Sequence, residues 1–339
     1  MDVPFLFYRS VAGLLLENYA DNMAQVDPLT EAAVNNFNDK RTIWNAHILF
    51  DDNGKVFYIL EYKEPEELKI PFIPYHLFSQ LNPDYVRIRF IFFSHVDRVA
   101  IIDGDFTPIE VTEDFMLKTF LPLVVSRLTQ NGALIIKYLG DKKDYFLSAI
   151  SQNCNRTSLH LNYLGPSCKQ FLGRNIHKFF ALKLRGEWPE KIKGPFVDML
   201  GKSYILRSIS FNCRDLSSLQ MDATFLNALL QFWSLRHSWA KLSISIPHSL
   251  SHRDFMNALK LLGRSYIIQF CSELVLITSS SGTQLQIEGD LPEKCKKGPK
   301  TLQMLSITRV KGFDFGDRVD SWSEYSSTST PKSRSCVIL

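Results

Sequence analysis

From residue 132 onward, stretches with every second residue apolar alternate with stretches whose apolar residues recur every three or four. The first kind contains the pairs Leu134/Ile136, Leu159/Leu161, Leu182/Leu184, Ile209/Phe211, Leu242/Ile244, Leu274/Leu276 and Leu305/Ile307. Alternation of this kind puts both members of a pair on one face of a strand. The pairs return every 23 to 33 residues. Between them the period is helical. Phe225, Leu229, Phe232 and Trp233 stand at i, i+4, i+7 and i+8, a single apolar stripe. Ser251 and Asp254 form a capping box ahead of Phe255, Ala258, Leu259 and Leu262, and Gly263 closes that segment. Tyr138-Leu139-Gly140 recurs as Tyr163-Leu164-Gly165, and Gly186 follows the third strand similarly. A strand and a helix repeated at this interval predict an irregular leucine-rich-repeat-like solenoid, because one such unit cannot bury its apolar face alone. An ordinary α/β domain with crossover helices is the alternative.

The first 131 residues have a different texture. Val11, Leu14, Leu15 and Tyr19 recur at helical spacing, and Pro4 suits a helix start. Ile43–Phe50 and Lys55–Tyr62 flank Asp51-Asp52-Asn53-Gly54, whose Asn-Gly pair predicts a hairpin turn. Tyr85–Phe93 alternates as a strand, with a short strand expected at Val99–Ile102. A helix is expected over Glu113–Thr129, with Thr112 as its cap, Gly132 beyond its end and a kink at Pro122. The expected fold class is therefore α/β, an N-terminal α+β region followed by the strand–helix solenoid. Four segments result: 1–40 helical, 41–131 α+β, 132–310 repeat-like, and 311–339 a Ser/Thr-rich flexible tail.

Composition narrows the function more than the fold. The 339 residues are 45% hydrophobic with a net charge of +4, enough for a sizeable core and too mildly basic for a nucleic-acid surface. Six scattered cysteines without a CxxC pair read as reduced, mostly buried thiols. Asp2 and Arg9 spoil the charge order of a signal peptide, and no apolar run of about 18 residues exists to span a membrane. The expected location is cytoplasmic, with membrane association possible only through a lipid.

No nucleotide-binding loop, GxSxG, HExxH or kinase signature occurs. No cofactor or metal is therefore expected, and a non-enzymatic protein is favoured over an enzyme of unfamiliar type. His248 and His252 read as loop residues, because His248 follows Pro247. Asp103, Asp105 and Glu110 read as strand-end turn residues. Lys294 to Lys300 reads as a solvated basic loop. Trp188, after the third repeat strand, is a candidate partner-binding anchor, its alternative being core packing.

The chain ends Cys336-Val337-Ile338-Leu339, a Cys-aliphatic-aliphatic-X box in which Leu selects a geranylgeranyl group on Cys336. The same end can serve as a PDZ ligand through Val337 and Leu339.

The opening Val3-Pro4-Phe5-Leu6-Phe7-Tyr8-Arg9-Ser10-Val11-Ala12-Gly13-Leu14-Leu15, with Phe171-Leu172 and Leu182-x-Leu184-x-Gly186-x-Trp188-Pro189, resembles a large nematode family similar to F-box proteins with repeat-like C-terminal regions. Phe5 and Leu6 stand where an acidic residue usually follows the proline. The resemblance implies a substrate receptor for ubiquitin ligation. Pro4, Phe5, Val11, Leu14 and Leu15 would then contact the adaptor Skp1, and the repeat region would recruit the target. A prenylated scaffold that locates its partners at a membrane is the compatible alternative.

Overall fold

The computed structural model describes residues 28–62, 72–99, 107–154, 157–202, 205–212, 219–236, 241–263, 266–270, 274–280, 284–289, 304–311 and 337–338. The protein is mixed α/β. It divides into two units, residues 1–179 and 180–339.

In the first unit, α1 (Pro28–Lys40) leads into β1 (Thr42–Phe50), β2 (Val56–Tyr62), α2 (Tyr75–Gln80) and β3 (Val86–His95). There follow β4 (Ile109–Val111), α3 (Glu113–Phe115), a π-helical turn (Met116–Phe120), α4 (Leu121–Ser126), β5 (Leu128–Ile136), α5 (Lys143–Asn153), β6 (Thr157–Asn162) and α6 (Pro166–Asn175). The strand order is β4-β2-β1-β3-β5-β6. Strands β1, β3, β5 and β6 run parallel, while β2 pairs antiparallel with β1 and β4 with β2.

The hairpin forms as its turn residues dictate. Asp51 Oδ1 accepts from the Asn53 and Lys55 amides at 2.9 and 2.7 Å. Gly54 takes φ +78°, a left-handed conformation that costs glycine nothing. Strand β1 is buried along seven successive residues, Trp44 to Phe50, as a strand covered on both faces must be. Phe50 meets the Phe146 ring of α5 edge-on at 4.9 Å, and Tyr58 meets Phe120 at 4.7 Å. Each such ring contributes roughly 1.5–3 kcal/mol by leaving water.

The helix expected over Glu113–Thr129 is capped by Thr112, whose hydroxyl accepts from the Phe115 amide at 3.2 Å. Two details differ from expectation. Pro122 has no N–H for the preceding turn, and that turn widens, Leu121 N bonding Met116 O five residues back. The helix also stops at Ser126, because Leu128 is already paired with Ile88 on β3. Gly132 therefore lies inside β5, at an irregularity in the β3–β5 register. A Cβ there would sit 2.6 Å from Leu128 Cδ1 and 2.9 Å from Thr129 O, so glycine is required. Val99 ends a 3-10 turn (Val96–Val99) rather than opening a strand; the rest of that expected strand lies outside the described residues.

Arg127, next after α4, is 6% exposed. Its guanidinium donates to the carbonyls of Phe78, Ser79 and Leu81 and lies over the Phe78 ring at 4.7 Å. It thereby adds a charged donor to the carbonyls that end α2, of which Phe78 O also accepts from the Leu81 amide at 3.2 Å.

The second unit contains β7 (Phe179–Arg185), α7 (Lys193–Lys202), β8 (Ser208–Asn212), α8 (Ala223–Arg236), β9 (Lys241–Pro247) and α9 (His252–Lys260). Then come β10 (Tyr266–Phe270), β11 (Leu274–Ser279), β12 (Gln284–Gly289), β13 (Met304–Lys311) and β14 (Val337–Ile338). Strands β7, β8 and β9 are parallel neighbours in chain order. Helix α7 packs on α8 and α8 on α9, which places the crossover helices in one layer on one face. Leu182, Leu184, Ile209, Phe211, Leu242 and Ile244 are buried beneath them, as their alternation predicts. Phe196 of α7 meets Phe211 at 4.6 Å and Phe225 of α8 at 6.2 Å.

Beyond β9 the strand–helix pattern ends. Strand β13 returns antiparallel beside β9, and β12, β11 and β10 continue as an antiparallel meander, with β14 on β10. Strand β11 faces the core through Val275 and Ile277, both 0% exposed, one residue out of step with the expected Leu274/Leu276 pair.

Candidate binding face

On β7 the inward residues Leu182 and Leu184 leave Ala181, Lys183 and Arg185 on the opposite face, all half-buried. Register carries that face sideways. Ala181 pairs with Ser208, Lys183 with Ser210, and Ser210 with Ser243. Ser208 and Ser210 are half-buried and Ser243 is exposed. These positions carry small, hydroxylic or basic side chains and neither a carboxylate nor a large apolar group. Half-buried and exposed positions of a sheet suit such residues, since exposed apolar rows invite aggregation.

The end of β7 is held in place from beneath. Gly186 turns the chain at φ +91°, and Trp188 folds back so that its indole Nε1 donates to Arg185 O at 3.0 Å. The Leu219 amide donates to Trp188 O at 3.1 Å. Trp188 is 0% exposed and has no surface to offer. The candidate partner-binding anchor Trp188 is therefore corrected to a core residue, because its ring fills the space under the strand end.

Next to Trp188, Lys193 bridges Asp222 at 2.7 Å and Glu190, and Glu190 accepts from the Gln220 amide at 3.1 Å. Asp222 also accepts from the Phe225 amide at 2.9 Å at the start of α8, a capping bond. Burial pushes the Asp222 carboxyl up, but the Lys193 ammonium and the Phe225 amide outweigh it and leave the group below the usual carboxylate range.

Arg185 is the chemically uncommitted member of this face. Its Nε is buried and has no hydrogen-bond partner among the described residues, although guanidinium donors are ordinarily satisfied.

A second polar group lies in the first unit. Asn45 Nδ2 donates to Glu61 Oε2 at 2.9 Å, and His47 Nε2 stands 3.2 Å from the same oxygen. The imidazole stacks on Phe92 at 4.7 Å and 12°. Histidine against carboxylate is half of a catalytic relay, but here the carboxylate holds Nε2, the nitrogen that would face a nucleophile. The arrangement fastens β1 to β2.

Among the described residues no group of three or more His, Cys, Asp and Glu could hold a metal ion. His248 is buried and its Nδ1 accepts from the Leu250 amide at 3.3 Å. Glu110 pairs with Lys55 at the surface, at 3.0 Å. Cys154 and Cys168 are buried thiols; burial pushes Cys154 up to about 12, against the pull of Lys178. No helix of the described residues is long and apolar enough to cross a membrane. Pro4, Phe5, Val11, Leu14, Leu15, Asp103, Asp105, the basic run 294–300 and Cys336 lie outside the described residues. Next to Cys336, Val337 and Ile338 pair with Phe270 and Gln269 of β10.

Sequence reasoning missed Arg185 and the Asn45–His47–Glu61 group. Arg185 had one legible signal: a basic residue at the outward position that ends an alternating strand. No family model matches the chain, and no curated protein matches it.

Proposed function

We propose that the chain is a non-enzymatic protein–protein interaction protein, an F-box-type substrate receptor whose binding surface is the polar face of β7, β8 and β9. The observation that carries this is the strand order. Consecutive parallel strands lie side by side, with their crossover helices packed on each other in one layer. A leucine-rich-repeat-like unit has this organisation, and it leaves one sheet face open for a partner. The polar face of Lys183, Arg185, Ser210 and Ser243 suits a polar partner that docks and leaves. The sequence resemblance adds the adaptor contact through Pro4, Phe5, Val11, Leu14 and Leu15.

The test mixes the purified full-length chain with purified Skp1 and follows complex formation by sedimentation velocity. A stoichiometric complex is expected, lost in the double variant Pro4→Ala/Leu14→Ala. Failure of the unmodified chain to bind Skp1 removes the adaptor half of the proposal. It leaves the binding face to be judged by its own experiments.

A further inference from the structure

We infer that the outer edge of β10 binds an extended segment of a protein partner by strand addition, that the segment carries consecutive aliphatic residues, and that β14 fills part of this edge until the partner arrives. The surface is separate from the face of β7–β9. Strand β10 reads Tyr266-Ile267-Ile268-Gln269-Phe270, with neither a charge nor a proline, two devices that commonly keep an edge strand from taking up another chain. One side of β10 pairs with β11 over all five residues, Tyr266 to Phe270. On the other side β14 pairs antiparallel with Gln269 and Phe270. The edge thus already accepts an extended segment, and Ile267 and Ile268 lie beyond the two paired positions. Both are incompletely covered. Ile267 is 55% exposed. Ile268 is half-buried, although Ile277, its partner in register on β11, is 0% exposed, so the apolar layer thins at β10. Neighbouring residues of a strand face opposite ways. An added strand therefore covers Ile268 on one face and Ile267 on the other when two adjacent residues of its own are apolar. Val337-Ile338 is such a pair, and β-branched residues favour the extended form. Main-chain bonds to the edge supply affinity, and the aliphatic pair supplies specificity. Because β14 belongs to the same chain, it competes at a high effective concentration, and the site opens when β14 leaves.

The experiment titrates the full-length chain into a fluorescein-labelled peptide, with Val-Ile-Val-Ile at its centre and Ser and Lys around it, and reads anisotropy. A second peptide has Pro in place of the two central residues. The double variant Val337→Pro/Ile338→Pro removes two backbone donors from β14. It should bind the aliphatic peptide about tenfold more tightly than the unmodified chain, since the internal competitor is gone. The Pro peptide should not bind. Adding Ile267→Lys to the double variant should weaken binding about tenfold, because a charge on an edge strand opposes pairing. Adding Leu261→Lys instead, at another exposed apolar position, should change binding less than about twofold. Equal binding by the unmodified chain and the double variant overturns the inference, as does absence of binding by either. So does equal binding of the Pro peptide, or full binding after Ile267→Lys. Without peptide, the double variant should sediment as the unmodified chain does; a new dimer that Ile267→Lys dissolves overturns the inference by giving the edge to a second copy. The Skp1 complex judges the adaptor contact separately.

Discussion

The indole nitrogen of Trp188 donates to the carbonyl oxygen of Arg185 at 3.0 Å. A ring buried under the end of β7 thereby holds the backbone of a basic residue whose side chain leaves the other face. Trp188→Phe keeps most of the ring volume and removes the donor. It should cost about 1 kcal/mol, the net value of one hydrogen bond. Trp188→Ala should cost about 3–5 kcal/mol, because a cavity is added. Urea titration of both variants separates the two contributions. A neutral Trp188→Phe would mean the indole bond does not hold the strand end.

Glu61 serves two donors at once, Asn45 Nδ2 and His47 Nε2. Glu61→Leu leaves both without this acceptor in a buried setting and should destabilise by about 1–3 kcal/mol. Glu61→Gln keeps an oxygen in place and should cost less. Chemical denaturation ranks the pair; equal losses would show that shape rather than hydrogen bonding fastens β1 to β2.

The Asp222 carboxyl ionises below its usual range, its burial being outweighed by Lys193 and the Phe225 amide. A depressed carboxylate contributes stability above its unfolded pKa of about 3.9, and that contribution fades as pH falls through the lower folded value. Asp222→Asn should therefore be less stable than the unmodified chain at pH 7, with the gap narrowing as pH drops below about 4. Thermal melts at pH 7 and in acid read the difference. A gap independent of pH would assign the loss to the changed capping bond alone.

Burial pushes the Cys154 thiol up to about 12, and only the thiolate is nucleophilic. Iodoacetamide at pH 8 should leave Cys154 unlabelled in the folded chain and modify it fully in urea, as peptide mass mapping would show. Rapid labelling of the native protein would contradict the packing around α5 and β6.

The parallel strands were legible wherever polar and apolar residues strictly alternate. Leu182-Lys183-Leu184 and Ile209-Ser210-Phe211 admit one orientation only, and both pairs face the core. Leu274-Val275-Leu276-Ile277 is apolar throughout, so nothing local selects a face, and contact with the rest of the core chose Val275 and Ile277. The end of the helix before β5 was misplaced for a related reason. Leu128 and Thr129 extend a helical pattern, but parallel pairing of Leu128 with Ile88 prevails. The meander after β9 broke the expected repeat. Gln284-Leu285-Gln286-Ile287 alternates clearly, but its antiparallel partners lie on both sides and not along a crossover helix. Arg185 carries no motif. Its significance comes from register with β8 and from Trp188, and neither is local to it.

The central claim, that the polar face of β7–β9 meets a protein, is tested most directly by a photo-cross-linking amino acid placed at Ser210 in living cells. Position 260, on the helix layer, is the comparison. Discrete adducts of defined mass at Ser210, absent at Lys260 and reduced by Arg185→Gln, are the expected result. The same adduct pattern from both positions, or none from Ser210, would contradict the account.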